Sequence, residues 1–241
     1  MTTRPVDFLL IGLGNLGSDY TFTRHNAGFL FIDYLANVMA LDQKRTVPPV
    51  FQRRTALSAD VHDVEFSYQK GNVSNSLRIV LAKPLTFMNE SGVAAKKIMD
   101  FYQMTDPKKL IVISDDINTL PGALAIQDGG DLKSLAGQKG QESIATTLGT
   151  TNFIRFRLGV GKPPSGSLTT IPQWVLGPFS KEGKEMDLFA FLMGHTTQAL
   201  LDFVQTNDLK LCRKKFTKSK KIPSGLAPID SLAFPVRIEG M

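Results

Sequence analysis

The chain has 241 residues, enough for one large domain with an appendage or two small ones, and 42% hydrophobic against 21% charged residues exclude a wholly disordered chain. Its one cysteine, Cys212, excludes an intrachain disulfide, and no apolar run approaches the roughly 20 residues that a bilayer-spanning helix needs. The net charge of +6 is concentrated: Lys210, Arg213, Lys214, Lys215, Lys218, Lys220 and Lys221 place seven positive charges in a stretch without an acid, leaving the rest near neutrality.

In chain order, Phe8 to Leu13 is a short apolar run that predicts a buried strand. Its start by about Asp7 leaves no room for a cleavable leader, so a cytoplasmic protein is expected, with an organelle as the alternative. A helix is predicted over 26–41, with Phe29, Leu30, Ile32, Leu35 and Val38 toward the core. Alternating segments then predict strands at Phe51 to Leu57, Val61 to Tyr68 and Leu77 to Leu81, the last two joined as a hairpin at Gly71-Asn72. Lys83-Pro84 ends that run, and a helix from Thr86 to Met104 places Ala94, Ala95, Ile98 and Phe101 at helical spacing. Leu110 to Ile113 is apolar throughout, as suits a central strand covered on both faces, and it delivers Ser114-Asp115-Asp116 to its carboxyl end.

Strands at Gly122 to Ile126 and Arg155 to Val160 flank a helix at Gly140 to Leu148, and prolines and hydroxyl residues mark 162–172 as a loop. A helix over Lys181 to Val204 carries Met186, Phe189, Leu192, Leu200 and Phe203. Strands alternating with helices predict an α/β fold of three layers, α/β/α, around a twisted mixed central sheet in a single domain. That domain is expected over 1–209, followed by a basic, loosely ordered extension over 210–241. The lysines of the extension suit a phosphate-bearing partner, or equally a solvated appendage.

The loop between the first strand and the first helix concentrates polar groups: Asn15, Tyr20, Arg24, His25 and Asn26 lie among three glycines. A loop at the carboxyl end of a buried strand is where open α/β sheets place ligands. Gly12-x-Gly14-x-x-Gly17 formally matches the dinucleotide fingerprint, but Ser18 to Arg24 separates the glycines from the helix, and no acidic strand end follows about twenty residues on. His25 is the natural general base, since an imidazole titrates near neutrality, and Asp115 can fix its tautomer and stabilise the imidazolium. His62 and His195 lack such a context and read as packing or surface residues. There is no Gly-x-Ser-x-Gly elbow, and three scattered histidines with one cysteine give no metal-site spacing.

Three ordered blocks resemble the bacterial-type peptidyl-tRNA hydrolase family: Gly12-Leu13-Gly14-Asn15 with Tyr20, Thr23-Arg24-His25-Asn26 and Gly28-Phe29; Lys83-Pro84-Leu85-Thr86-Phe87-Met88-Asn89-Glu90-Ser91-Gly92; and Asp115-Asp116 with Leu120-Pro121-Gly122. Weaker agreement runs through Arg155 to Pro163 and Trp174 to Gly177. The resemblance implies hydrolysis of the ester between peptide and tRNA 3′ end in N-blocked peptidyl-tRNA, recycling tRNA in translation. It also implies peptidyl-tRNA as partner, no cofactor, no metal, no membrane and a monomer.

His25 and Asp115 would be the catalytic pair, with Asn15 and Asn89 gripping substrate and Asn15 helping to reject free aminoacyl-tRNA. Tyr20, Phe87 and Met88 would line the crevice, as suits stacking on the terminal adenosine, although Phe87 and Met88 equally suit packing at a helix start. Arg157 matches a basic position near the tRNA phosphates, and equally suits an ion pair. The chain departs from the family where Gly137-Gln138-Lys139-Gly140 stands for Gly-His-Asn-Gly, after an insertion of a few residues. Lys139 thus replaces a substrate-contacting asparagine and cannot accept a hydrogen bond. Leu16 replaces a proline, and a basic residue expected near Gln127 is missing. Lys139, Gln127 and the basic tail motivate the competing expectation of a non-catalytic, RNA-binding relative.

Overall fold

The computed structural model describes residues 4–44, 47–131, 137–180 and 184–217. Its strands are β1 (Phe8–Gly12), β2 (Gln52–Arg54), β3 (Ala59–Lys70), β4 (Val73–Pro84), β5 (Leu110–Asp116), β6 (Leu124–Asp128) and β7 (Ile154–Gly159), in one sheet of order β2-β3-β4-β1-β5-β7-β6. Pairing is parallel from β4 through β1 and β5 to β7, and antiparallel along β2-β3-β4 and β7-β6, so the sheet is mixed. The helices are α1 (Ala27–Asp42), α2 (Ser91–Phe101), α3 (Lys139–Leu148), α4 (Ile171–Leu176), α5 (Glu185–Thr206) and α6 (Leu209–Phe216). No helix among the described residues is long and apolar enough to cross a membrane.

Alternation along the central strands makes two cores. Phe8, Leu10, Ile111 and Ile113 face α1, α5 and α6, whereas Leu9, Ile11, Leu110 and Val112 face α2 and α3. Both faces are covered, which is why β1 and β5 are apolar without interruption and why three layers form. Glycine lets α1 lie close to the sheet: a Cβ on Gly28 would come within 2.4 Å of the Leu13 nitrogen and of the Ile113 oxygen. That contact fixes where α1 begins, and the histidine two residues before it.

Several boundaries and faces differ from expectation. The buried face of α1 is Phe31, Ile32, Leu35, Ala36 and Met39, while Phe29, Leu30 and Val38 are half-buried. Apolar residues surround this helix on most sides, so spacing alone does not select its face. Phe101 is exposed, and Met99 takes the core position at that end of α2. The segment Phe51 to Leu57 yields only three strand residues before a 3₁₀ turn, Thr55–Leu57. A second 3₁₀ turn, Met88–Glu90, occupies the start expected for the helix that begins at Ser91.

Helix α4 lies partly in the stretch expected as loop. Helix α6 extends order into the expected extension: Cys212 and Phe216 are buried against the core shared with α5. Residues 218–241 lie outside the described residues, as does 132–136, where the apparent insertion falls.

Candidate active site

The parallel strands β1, β4, β5 and β7 end on one side of the sheet, and the chain segments that leave them build a crevice of about 650 Å³. Beyond β1, residues Arg24–Asn26 form a 3₁₀ turn that hands the chain to α1 and points His25 into the crevice. Asp115 is the penultimate residue of β5. His25 Nδ1 lies 3.0 Å from both Asp115 carboxylate oxygens. The carboxylate side chain is 3% exposed and the imidazole 15%, so the acid is sealed while the ring still meets the crevice.

Burial alone would lower the His25 pKa, but the charge and hydrogen bond of Asp115 outweigh it, and the net shift is upward from 6.5. With Nδ1–H donated to Asp115, Nε2 carries the lone pair available to a water.

The surrounding residues are interlocked. Asn26 brackets Asn15, its Oδ1 accepting from the Asn15 backbone N–H at 2.8 Å and its Nδ2 donating to the Asn15 carbonyl at 3.0 Å. Asn15 Oδ1 in turn accepts from the Met88 backbone N–H at 3.1 Å, which leaves the Asn15 Nδ2 as a donor with no partner among the described residues. The loop after β1 is thereby tied to the turn after β4.

On the other side, Arg24 donates to both Glu185 oxygens (2.6 and 2.7 Å) and to the carbonyls of Trp174 (3.0 Å) and Gly177 (3.2 Å), with its guanidinium 3.7 Å from the centre of the Trp174 ring. This buried cation fastens the His25 turn to α4 and to the start of α5.

The crevice brings together every residue singled out from the sequence: Asn15, Tyr20, His25, Phe87, Met88, Asn89, Asp115, Lys139 and Arg157 line it. Phe87 is 69% exposed, so the packing reading does not hold for this ring, whereas Met88 is buried and packs as a core residue would. Asn89 stands exposed on the rim. Arg157 is not a free cation: it pairs with Asp116 at 2.9 Å and donates to Gln127 Oε1 at 3.2 Å. Lys139 opens α3 and pairs with Glu142 at 3.1 Å on the surface.

Arg24 and Gln138 carry no assigned role in the sequence, and the wall supplied by α4 through Ile171, Pro172, Val175 and Leu176 was not foreseen. A signal for α4 was present in Thr170-Ile171-Pro172-Gln173, which forms a capping box with reciprocal Thr170 and Gln173 bonds.

His62 and His195 stand apart, their ring nitrogens meeting the carbonyls of Val50 (3.1 Å) and Phe216 (2.9 Å). Among the described residues no group of three or more His, Cys, Asp or Glu side chains is placed to hold a metal ion. A cavity of similar size, about 660 Å³, opens at the β2–β3 edge among Lys44, Arg54, His62 and Tyr102, but none of the residues that line the crevice lines it.

Comparison with known proteins converges on one family. The family model described as peptidyl-tRNA hydrolase matches residues 9–224. A peptidyl-tRNA hydrolase from Moorella thermoacetica is 38% identical over 178 residues, which is 74% of this chain and 82% of that protein. One from Mycoplasmopsis agalactiae is 35% identical over 213 residues, 88% of this chain and 97% of that one. The crystal structure of peptidyl-tRNA hydrolase from Acinetobacter baumannii superposes with a TM-score of 0.70 at 25% identity, covering 90% of this chain and 97% of that chain.

Proposed function

The chain belongs to the peptidyl-tRNA hydrolase family, and from that premise we propose that His25 and Asp115 carry its hydrolytic step. The activity is that of a carboxylic ester hydrolase, releasing peptide from the 3′ end of tRNA in N-blocked peptidyl-tRNA. One observation carries the assignment of the residues: His25 Nδ1 sits 3.0 Å from both oxygens of a buried carboxylate while the ring stays open to the crevice.

In this reading His25 Nε2 takes a proton from water as the oxygen attacks the ester carbonyl carbon. Asp115 holds the Nδ1–H tautomer and balances the charge of the imidazolium that forms. The tetrahedral intermediate then expels the ribose oxygen, which recovers the proton from His25. Asn15 donates its free Nδ2 to the peptide end, because its Oδ1 is already engaged by Met88. Asn89 contributes a second neutral amide from the rim, and Tyr20 and Phe87 offer rings to the terminal base, with Met88 lining the same crevice.

Lys139 and Arg157 line the crevice and are the cations this reading offers to the tRNA phosphates. Each is already paired with a carboxylate, which tempers the field it presents. The non-catalytic alternative gains no support, since the family model and the relatives matched are peptidyl-tRNA hydrolases. The purified protein is expected to release the N-acetyl-amino acid from N-acetyl-aminoacyl-tRNA with multiple turnovers, and to act on free aminoacyl-tRNA much more slowly. Tight binding of deacylated tRNA with no turnover at any enzyme concentration would contradict the reading.

A further inference from the structure

The hydrogen bonds around Asp115 include one from a residue that neither the sequence nor the reaction scheme uses. Gln138 is 8% exposed and immediately precedes α3. Its Oε1 accepts from the Gln141 backbone N–H at 2.9 Å, capping the helix. Its Nε2 donates to Asp115 Oδ1 at 3.1 Å and touches Met88 Sδ at 3.4 Å. Glutamine is not among the favoured capping residues, and serine or aspartate would cap as well without reaching so far. The length of the side chain therefore has its physical use at the nitrogen end, where it meets the carboxylate.

We propose that Gln138 is a positioning residue for the hydrolytic reaction, holding the Asp115 carboxylate so that both oxygens face His25 Nδ1. The proposal rests on the reading of His25 and Asp115 as the catalytic pair. A buried carboxylate with a single partner can rotate about its last torsion, which is broad. With Gln138 on Oδ1 and His25 against both oxygens, that rotation is blocked, and the imidazole is set in the plane where Nε2 faces the crevice. The amide also anchors the carboxylate to the start of α3, whose unpaired N–H groups favour negative charge nearby.

Other charged groups around the pair are already engaged. Arg24 is held by Glu185, Arg157 by Asp116 and Lys139 by Glu142. Tyr20 faces the crevice from the loop after β1. Gln138 is thus the donor that shares Asp115 with His25. Its removal concentrates the carboxylate's charge on the ring, which favours the imidazolium.

The test is Gln138→Ser in the full chain, because serine keeps a cap for Gln141 but is too short to reach Asp115. The melting temperature should stay near that of the unaltered protein. We expect kcat on N-acetyl-aminoacyl-tRNA to fall about 10-fold or more, within the roughly 10²-fold that a misplaced catalytic group can cost, with KM little changed. The His25 imidazole, followed by nitrogen NMR and assigned among the three histidines with His25→Ala, should titrate at higher pH in the variant. An unmoved His25 titration overturns the proposal whatever happens to kcat, and so does an unchanged kcat. Failure of the catalytic reading itself would appear separately, as turnover surviving in His25→Ala, and the titration would still report whether Gln138 acts on the pair.

Discussion

At the scale of single residues, the pKa of His25 sets the pH dependence. Its folded value is raised above 6.5, so the free-base form needed for catalysis is lost as pH falls through that value. The acid limb of the kcat/KM profile should therefore lie above 6.5. In Asp115→Asn the raising charge is gone while burial still lowers the pKa, so the limb should move to lower pH as kcat drops. A limb that does not move would detach Asp115 from the titrating group. The same shift has the opposite sense for stability: the ion pair stabilises the fold fully below about 6.5, and this contribution fades as pH rises through the folded pKa. As the proposed general base, His25 would work in the state that stabilises the protein less. His25 and Asp115 stood out in the sequence because each belongs to a local block that matches the family; Gln138 did not, because its block departs from the family's and its bond to Asp115 exists only in the fold.

At the scale of elements, the crevice depends on how the 3₁₀ turn carrying His25 is attached. Arg24 and Glu185 have side chains only 6% and 13% exposed, and taking away one partner leaves a buried charge without compensation. Arg24→Ala should cost about 3 kcal/mol or more in chemical denaturation and should lower turnover by loosening both α4 and the His25 turn. Gly28→Ala tests the other support of this turn. Its Cβ would meet backbone at 2.4 Å, so α1 must move off β1 and lose at least the roughly 1–3 kcal/mol typical of overpacking. Wild-type stability in either variant would show that the turn is held elsewhere. Element types were readable where period and length agreed, as in β1, β5 and the hairpin at Gly71-Asn72. They were not readable in α4, where six residues after a proline-rich loop gave too short a pattern and only the capping box spoke.

At the scale of the whole molecule, the three-layer α/β architecture followed from the alternation of apolar strands and helical patterns, since each face of the sheet needs a cover. The end of the packed body was harder to place, because half of α6 is charged and only Cys212 and Phe216 of it are buried in the core, with Leu209 packed against its edge. A chain ending at Leu209 loses both and should be less stable by about 3 kcal/mol or more, the usual cost of deleting a buried aromatic. Thermal melting checks this, and an unchanged melting temperature would mark α6 as dispensable. Lys210, Arg213 and Lys214 are exposed on this helix. If they meet tRNA phosphates, replacing all three with glutamine should make the slope of log K against log salt shallower by roughly 2, at about 0.7 per phosphate on a single strand. Equal slopes would show that these side chains are only solvated.

The proposed mechanism needs this fold to present one activated histidine, His25, to a peptidyl-tRNA ester. It is tested most directly by the single-turnover rate of N-acetyl-aminoacyl-tRNA hydrolysis in His25→Ala, at saturating enzyme and with folding verified by an unchanged melting curve. A fall of at least about 10²-fold is expected, the contribution of a lost general base. A rate within a few-fold of the unaltered protein would contradict it.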